Sequence, residues 1–343
     1  MQYRNLGGSG LKVPALMLGT ATFGGGTEFF KKWGTTDVAE ASSLVDAALE
    51  MGCNMFDTAD AYSRGMSEEI LGKAIEGRRD KMLLATKVGM PMGEGPNDMG
   101  TSRERIIRCC EASLRRLGTD YIDLYQLHSF DAQTPIEEML HALDALTRAG
   151  KIRYFGVSNY RGWRIAEMVS ECEAQGVPLP VVCQPYYNLL NRMPEVEVLP
   201  ACDHYGIGVA SYSPVARGVL TGKYAPGAPM PVDSRGARGD RRMAQTELRE
   251  ESFVIAQKLR EHAEKTGRSL LQFALAWLWA NRVVSSVIAG PRTPEQWNDY
   301  VASLGTPWSD EDEALVDSLV VPGHASTPGY NDPQYPFFGR VRD

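Results

Sequence analysis

Eight apolar runs of strand length alternate with segments of helical periodicity along the 343 residues, and this order predicts an α/β fold of the (β/α)₈ TIM barrel type. No change of composition and no linker divides the chain, so we expect one domain over residues 1–343. The pattern Gly-x-Gly-x-x-Gly is missing after the first strand, which disfavours a doubly wound dinucleotide-binding sheet. The strands begin at uneven intervals, which argues against a repeat array.

The amino-terminal part is expected to form a hairpin, a strand and a helix. Residues 1–14 alternate around a Gly-Gly-Ser-Gly turn, which is typical of a β-hairpin, and residues 15–20 are the first core strand. A helix is expected over 37–52, where Asp37 is a candidate N-cap and Gly52 a stop signal. Its apolar residues recur at helical spacing and predict one buried face.

The remaining elements follow the same order of strand and helix. We expect further strands at 54–56, 82–87, 121–128, 154–159, 181–187, 207–213 and 284–289. We expect further helices at 67–78, 102–118, 135–150, 161–176, 194–205, 246–266, 270–281, 294–304 and 310–319. The helix at 194–205 should be interrupted near Pro200. A long loop rich in Pro, Gly and Arg is expected at 225–242, after the seventh strand, and an irregular carboxyl-terminal extension at 321–343.

The composition excludes several classes of function. The formal net charge is -7 and hydrophobic residues make up 43%, so neither nucleic acid nor an anionic membrane is the expected partner. No apolar run approaches the roughly 20 residues of a membrane-spanning helix, and the amino terminus lacks the apolar core of a signal peptide. The six cysteines show no Cys-x-x-Cys spacing, so we expect reduced thiols in the cytoplasm and neither zinc nor a redox dithiol. The oligomeric state is left open.

Ionisable residues follow three successive strands. Asp57 and Tyr62 come directly after the second strand, Lys87 ends the third and His128 ends the fourth. The loops after the strands of such a barrel meet at one face, so these side chains are predicted to share a pocket. A phenol has a pKa of about 10, and a nearby ammonium stabilises the phenolate and lowers that value. The pattern predicts a site for proton transfer.

Each of these residues also has an ordinary structural interpretation. Taken alone, Lys87 could be a solvated strand end and Asp57 a turn or helix cap. Tyr62 could be a packed surface aromatic, and His128 a hydrogen-bonded structural histidine. Their order at successive strand ends favours the functional interpretation.

The motifs around these residues resemble the aldo-keto reductase family, in the branch related to potassium-channel β subunits. They are Phe-Asp-Thr-Ala-Asp-Ala-Tyr at 56–62, Ala-Thr-Lys-Val-Gly at 85–89 and Leu-Tyr-Gln-Leu-His at 124–128. The resemblance extends over roughly residues 1–320. It implies reduction of an aldehyde or ketone with NADPH as cofactor, and it requires no metal.

The resemblance assigns a role to each member of the tetrad. Tyr62 would be the proton donor, and Lys87, oriented by Asp57, would lower the pKa of the phenol. His128 would hydrogen-bond the carbonyl oxygen and orient the substrate.

The resemblance also implies a cofactor site. Gly-Val-Ser-Asn at 156–159, together with Gln184, resembles the site for the nicotinamide amide. The segment 212–223 is similar to the one that stacks on the nicotinamide and binds the pyrophosphate, and 288–292 with Gln296 resembles the adenosine-phosphate site. The implied cofactor-binding residues are Gly19, Thr20, Ala21, Asp57, Ser158, Asn159, Gln184, Tyr212, Ser213, Pro214, Val215, Ala216, Gly218, Lys223, Arg235, Gly290, Arg292, Gln296, Asp299 and Tyr300.

Two parts of the cofactor site carry alternatives. Arg292 would grip the 2′-phosphate of NADPH, or else form an exposed ion pair. Where the family commonly shows an acidic residue and then Asn, this chain has Asp299 and Tyr300, and Tyr300 could stack on the adenine. The arginines of the long loop are more typical of a solvated surface, although Arg235 could reach the cofactor.

Aromatic residues indicate the kind of substrate. Phe29, Phe30 and Trp33 follow the first strand and could line the mouth of the site, or could only brace their own loop. The carboxyl-terminal aromatics Tyr330, Tyr335, Phe337 and Phe338 could fold toward the same mouth. Apolar aromatic walls favour a bulky, weakly charged carbonyl compound over a phosphorylated sugar.

Two other functions stay open from the sequence. A Schiff-base aldolase could use Lys87 as its nucleophile. A non-catalytic subunit could bind the nucleotide and a protein partner, as potassium-channel β subunits of this superfamily do. In those subunits the position of the histidine is not histidine, so His128 favours catalysis.

Overall fold

The structure, a computed structural model, describes residues 1–336 and contains a closed barrel of eight parallel strands behind a two-stranded hairpin. The hairpin strands are β1 (Tyr3–Asn5) and β2 (Lys12–Pro14). The barrel strands are β3 (Leu16–Gly19), β4 (Met55–Asp57), β5 (Leu83–Val88), β6 (Ile122–Leu127), β7 (Ile152–Ser158), β8 (Val182–Gln184), β9 (Gly208–Tyr212) and β10 (Val284–Ala289). Strand β10 pairs with β3 and closes the barrel, so the predicted fold class is confirmed.

Helices separate the strands and cover the outside of the barrel. They are α1 (Glu28–Lys31), α2 (Val38–Glu50), α3 (Met66–Ala74), α4 (Arg103–Leu117), α5 (Ile136–Arg148), α6 (Gly162–Gln175), α7 (Val198–His204), α8 (Arg241–Thr246), α9 (Glu250–Lys265), α10 (Leu270–Ala280), α11 (Pro294–Val301) and α12 (Asp310–Leu319). Asp37 caps α2 in a capping box with Glu40, as its position predicted. Gly118 ends α4 in the left-handed conformation that glycine favours.

Three helix predictions were wrong. Pro200 does not interrupt a helix, because it lies in the first turn of α7, where a backbone N–H would have no partner within the helix in any case. The helical conformation is interrupted before it, at Glu197. Thr246 does not begin a helix. It ends α8, which Asp240 caps, and α9 starts after the extended residue Arg249. The loop after the first strand contains the one-turn helix α1, which was not predicted because its sequence shows no helical periodicity.

The buried apolar side chains form two clusters, one inside the barrel and one between the barrel and the helices around it. The inner cluster joins the barrel to the hairpin, and its buried members are Leu6, Val13, Met17, Met55, Ala85, Leu124, Val182, Ala210 and Ile288. The hairpin turn packs tightly: Gly7 has φ +58°, and a Cβ there would lie 2.4 Å from the carbonyl oxygen of Gly206. The hairpin therefore closes the amino-terminal end of the barrel, leaving the opposite end for a site.

Polar residues form the next inward layer toward the carboxyl ends of the strands. Side chains of a strand alternate between its two faces, so the residue two positions after an inward apolar residue also points inward. These residues are Gly19, Asp57, Lys87, Gln126, Gln184 and Tyr212. Strand geometry thus places two of the predicted ionisable groups, Asp57 and Lys87, on one floor.

The carboxyl-terminal extension runs back over the barrel as an irregular segment. Its backbone bonds to the loop after β8, from Ser326 N to Leu190 O at 2.9 Å and from Arg192 N to His324 O at 2.8 Å. Phe337 and Phe338, which were expected near the mouth, lie outside the described residues. In the part of the chain that the structure describes, no helix is long and apolar enough to cross a membrane.

Candidate active site

The floor of the site is a buried ion pair. Lys87 Nζ lies 2.6 Å from Asp57 Oδ2 and donates to the carbonyl oxygen of Thr58 at 2.7 Å. Both side chains are almost fully buried. Two neighbouring strands present these groups to each other, since Asp57 pairs with Ala85 in the register of β4 and β5. The ammonium is therefore held at a fixed place below the cavity.

Tyr62 and His128 lie above this pair. Lys87 Nζ is 3.5 Å from the phenol oxygen of Tyr62. The rings of Tyr62 and His128 meet edge to face, with centroids 5.8 Å apart. Tyr62 begins a 3₁₀ turn in which Ser63 has φ +49°, and the Ser63 hydroxyl donates to Phe23 O at 3.0 Å. The turn is thereby anchored, and the structure brings the four predicted residues together.

Burial and charge set the protonation of the floor. Burial raises the pKa of the Tyr62 phenol, and the Lys87 ammonium only partly opposes that rise. Burial would lower the pKa of Lys87, but the charges of Asp57 and Tyr62 raise it overall. Burial, followed by the charge of Lys87, lowers the pKa of His128 well below its ordinary range. Lys87 lowers the pKa of the Tyr62 phenol, as predicted, but burial raises that pKa by more, so the phenol holds its proton at neutral pH. The His128 imidazole is neutral at the same pH.

Amide side chains form the platform beside the floor. Asp57 Oδ1 accepts from Gln184 Nε2 at 3.0 Å and, more weakly, from Gln126 Nε2 at 3.4 Å. Ser158 donates to Gln184 O at 2.8 Å. Asn159 donates to His128 O at 2.9 Å and accepts from the hydroxyl of Tyr212 at 2.8 Å. The residues expected to bind a carboxamide are thus already linked to one another and to the ion pair.

Tyr212 rests on a buried polar cluster. The ring of Tyr186 stacks on it with centroids 5.7 Å apart, and the hydroxyl of Tyr186 donates to Glu247. Glu247 also accepts from Arg217 Nη1, at 2.7 and 2.8 Å. Arg217 has φ +50° and lines the cavity. Tyr186, Glu247 and Gln126 were not predicted as site residues, although strand alternation places Gln126 on the floor.

One cavity of about 970 Å³ runs from Tyr62 and His128 across the carboxyl ends of the strands. The predicted cofactor residues that line it are Gly19, Ala21, Ser158, Asn159, Gln184, Tyr212, Ser213, Pro214, Val215, Gly218, Lys223, Arg235, Gly290, Arg292, Gln296, Asp299 and Tyr300. The other three, Thr20, Asp57 and Ala216, are buried and are not among the cavity residues of the described chain. The Thr20 hydroxyl lies 2.9 Å from Ser67 Oγ, in the core, so its side chain faces away from the cavity.

Cations gather at the far end of the cavity. Lys223 and Arg292 line it, Arg238 lies close by, and Arg235 lies between these cations and Trp33. The pKa of Lys223 is lowered by burial and then by the charges of Arg292, Arg235 and Arg238. Nε and Nη2 of Arg238 are out of solvent and have no hydrogen-bond partner within residues 1–336. A cluster of like charges is suited to an anion such as a phosphate.

The glycines between the two ends fit a bound dinucleotide. Gly218 has φ +101°, and a Cβ there would lie 2.8 Å from Lys223 Cε, so only glycine lets the ammonium approach the backbone. At Gly290 a Cβ would find only Gly19 O, 3.9 Å away, so the backbone is open to the cavity. Tyr62 and His128, the platform, these glycines and the cations line the same cavity. The described residues contain no cluster of ligands able to hold a metal.

The mouth near Tyr62 is aromatic. The centroids of Phe30 and Trp33 lie 6.4 and 6.5 Å from that of Tyr62, and Phe29 packs against both. Tyr335, from the carboxyl-terminal extension, lines the same cavity, whereas Tyr330 is not among its lining residues in the described chain. Tyr330 instead lies under Arg249, with the guanidinium carbon 4.0 Å from the ring centroid.

Comparison with known proteins agrees with this geometry. Residues 15–321 match the family model described as Aldo/keto reductase family. An uncharacterized oxidoreductase of Bacillus subtilis (strain 168) is 38% identical over 315 residues, 89% of this chain and 91% of that protein. A probable voltage-gated potassium channel subunit beta of Oryza sativa subsp. japonica is 39% identical over 310 residues, which are 89% of this chain and 91% of that protein. The L-glyceraldehyde 3-phosphate reductase of Escherichia coli (strain K12) is 33% identical over 335 residues, which are 94% of this chain and 93% of that protein.

Proposed function

Since the chain belongs to the aldo/keto reductase family, a family of oxidoreductases, we propose that it reduces an aldehyde or ketone to the alcohol with NADPH. One observation carries the proposal: a single cavity joins a protonated phenol, held over a buried ammonium, to the cations Lys223, Arg235 and Arg292. When bound, the cofactor supplies the hydride.

We assign the proton transfer to Tyr62. A carbonyl oxygen that receives a hydride at its carbon gains negative charge and needs a proton as it forms. The phenol of Tyr62 holds a proton at neutral pH and faces the cavity, and the ammonium of Lys87 stabilises the phenolate that remains. Asp57 holds Lys87 at 2.6 Å and keeps it charged. His128, neutral and edge-on to Tyr62, orients the carbonyl oxygen by hydrogen bonding.

Residues along the cavity would hold the cofactor. Ser158, Asn159 and Gln184 suit a carboxamide, because each presents a hydroxyl or amide at the cavity wall. Tyr212, supported by the ring of Tyr186, offers a flat face for an aromatic ring. Gly218 and Lys223 are suited to a pyrophosphate. Arg292 and its cationic neighbours would bind a 2′-phosphate, which favours NADPH over NADH.

The substrate proposal rests on the aromatic mouth. Phe29, Phe30, Trp33 and Tyr335 line the cavity near Tyr62, so we propose a bulky, weakly charged aldehyde or ketone. Of the cations, Arg235 lies beside this mouth, since its guanidinium carbon is 5.0 Å from the Trp33 centroid, whereas the proposal places the cofactor phosphates at Lys223 and Arg292. The aromatic side chains favour such a compound over a phosphorylated sugar.

The two alternative functions are weaker. A Schiff-base lysine must be deprotonated, but Lys87 is fully buried, paired with Asp57, and has a raised pKa. A non-catalytic nucleotide-binding subunit is the second candidate, because one relative carries the name of a potassium channel subunit. His128 beside Tyr62 favours catalysis over that role.

A panel of carbonyl compounds separates these possibilities. The purified chain is incubated with NADPH and short aldehydes, aromatic aldehydes or cyclic ketones, and loss of NADPH absorbance is compared with alcohol formed. We expect NADPH-dependent alcohol production with equal stoichiometry. Tight NADPH binding without turnover of any carbonyl would favour the non-catalytic subunit.

A further inference from the structure

The segment 240–247, which contains α8, contacts the walls of the cavity at three places. Asp240 binds the guanidinium of Arg235, whose carbon lies 5.0 Å from the centroid of Trp33. Glu247, at the other end, holds Arg217 below Tyr186. In the middle, Arg242 binds the carboxyl-terminal extension. One short helix thus reaches the aromatic loop, the ring platform and the extension.

The contact with the extension is a buried bidentate ion pair. Arg242 Nη1 and Nη2 each lie 2.8 Å from one carboxylate oxygen of Asp332. The Arg242 side chain is 6% exposed and that of Asp332 11%. A two-point pair of this geometry fixes orientation as well as distance. Breaking it would leave a buried guanidinium without its anion, which is strongly unfavourable.

Asp332 also shapes the turn that enters the cavity. Its Oδ1 accepts from Gln334 N at 2.9 Å, and its carbonyl oxygen accepts from Tyr335 N at 3.1 Å. Arg161 Nη2 donates to Tyr335 O at 3.0 Å. Both Gln334 and Tyr335 line the cavity. The side chain of Asp332 therefore connects α8 with the residues that form this part of the mouth.

We propose that Arg242 and Asp332 are specificity-determining positioning residues, which hold Tyr335 as a wall of the substrate mouth and so favour ring-containing carbonyl compounds over short aldehydes. The inference rests on the proposed reductase function. It adds a residue pair from distant parts of the chain that acts through Tyr335 and touches no reacting atom. A short aldehyde reaches Tyr62 without needing this wall, whereas a ring packs against it.

The test compares Asp332→Asn with Asp312→Asn. Asp312 forms the same kind of bidentate pair, with Arg268 at 2.8 and 2.6 Å, but belongs to α12 and is not among the cavity residues of the described chain. The measured quantity is the ratio of kcat/KM for a bulky cyclic ketone to that for a short aldehyde. We expect Asp332→Asn to lower this ratio about tenfold, and Asp312→Asn to leave it near the wild-type value.

Two further variants distinguish the loss of this wall from general damage to the fold. Tyr335→Ala should lower the ratio as Asp332→Asn does, because it removes the wall itself. The charge-exchanged double variant Arg242→Asp/Asp332→Arg should recover part of the ratio. An unchanged ratio in both Asp332→Asn and Tyr335→Ala would overturn the proposal, and so would an equal fall in Asp312→Asn.

Binding measurements separate this proposal from the proposed function. Calorimetry on the NADP⁺ complex gives the dissociation constant of the cyclic ketone without turnover, and hydrogen exchange of the amides of residues 325–336 reports on the extension. We expect weaker ketone binding and faster exchange in Asp332→Asn, and wild-type values of both in Asp312→Asn. If the wild type shows no turnover, the proposed reductase function fails, while unchanged binding and exchange in Asp332→Asn would refute the positioning role.

Discussion

The two ends of the cavity are built differently. At the floor, the buried charges of Asp57 and Lys87 lie on neighbouring strands and are joined at 2.6 Å. At the far end, Lys223 and Arg238 belong to loops, and Nε and Nη2 of Arg238 lack partners among the described residues. The first end is neutralised by its own residues, whereas the second carries an excess of positive charge.

This difference indicates how each end works. The floor needs no ligand to fix its charges, because the strand register supplies the partner of each. Burial and then the charges of the neighbouring arginines lower the pKa of Lys223, so the cationic end would gain most from an added anion. We therefore expect changes at the floor to affect the chemical step and changes at the cationic end to affect cofactor binding.

The largest expected effect is that of Tyr62→Phe. Removing the proton donor should lower kcat about 100- to 10,000-fold, the usual contribution of general acid catalysis. NADPH affinity should stay within about threefold of the wild type, since the phenol lies at the floor. Steady-state kinetics and fluorescence titration measure the two quantities. Tyr160→Phe is the control, because it removes a buried phenol oxygen outside the cavity residues of the described chain. Wild-type kcat in Tyr62→Phe would refute the assignment.

Arg292→Ala tests the cationic end. An Arg–phosphate contact contributes about 1.5–3 kcal/mol, so NADPH should bind roughly 10- to 100-fold more weakly while NADH changes little. Dissociation constants of both cofactors are measured at low and high salt, and the difference should shrink as salt screens the contact. Arg282→Ala, at an exposed arginine paired with Asp203, is the control. Equal weakening of both cofactors would show that Arg292 does not read the 2′-phosphate.

Asp60, three residues after Asp57, is a buried carboxylic acid without the close cationic partner that Asp57 has in Lys87. Neither of its carboxylate oxygens has a hydrogen-bond partner within residues 1–336, and Arg105 Nη2 is 4.0 Å away. Burial, followed by the charge of Glu68, raises the pKa of Asp60 to about 7, against Arg105 and Arg116. The folded state therefore retains a proton that the unfolded state loses, and stability falls as pH rises from about 4 to 7, by at most about 1.4 kcal/mol per pH unit.

Asp60→Asn removes this pH dependence. Its free energy of unfolding relative to the wild type should rise with pH between about 4 and 7 and then level off. Urea unfolding across this range measures it, with Asp80→Asn, at an exposed position, as the control. Parallel curves for Asp60→Asn and the wild type would show that Asp60 is already ionised in the fold at low pH.

The smallest expected effect concerns the aromatic mouth. Trp33→Ala and Phe30→Ala should each lower kcat/KM for a bulky cyclic ketone several-fold, since an aromatic contact contributes about 0.5–1.5 kcal/mol beyond its buried area. A short-chain aldehyde should be affected less. If both substrates keep their wild-type kcat/KM in both variants, these aromatics only brace their loop.

The sequence predicted the barrel and the positions of Asp57 and Lys87 at its floor, because both follow from strand periodicity, but it did not identify Gln126 beside them. It was less successful where contacts join distant segments. Nothing local links Arg242 to Asp332, ninety residues further along the chain, and the loop arginines were interpreted as a solvated surface. The orientation of Thr20, whose side chain points away from the cavity toward Ser67 of α3, was also missed, because a threonine after a strand can face either side.

Isotope transfer is the most direct test of the central claim that this chain moves a hydride from NADPH to a carbonyl carbon. The wild type is incubated with deuterated NADPH and an aromatic aldehyde, and mass spectrometry measures deuterium in the alcohol. We predict one deuterium on the former carbonyl carbon, with almost none formed by Tyr62→Phe in the same time. Saturating cofactor binding without labelled alcohol, for this aldehyde and for a bulky ketone, would contradict the account.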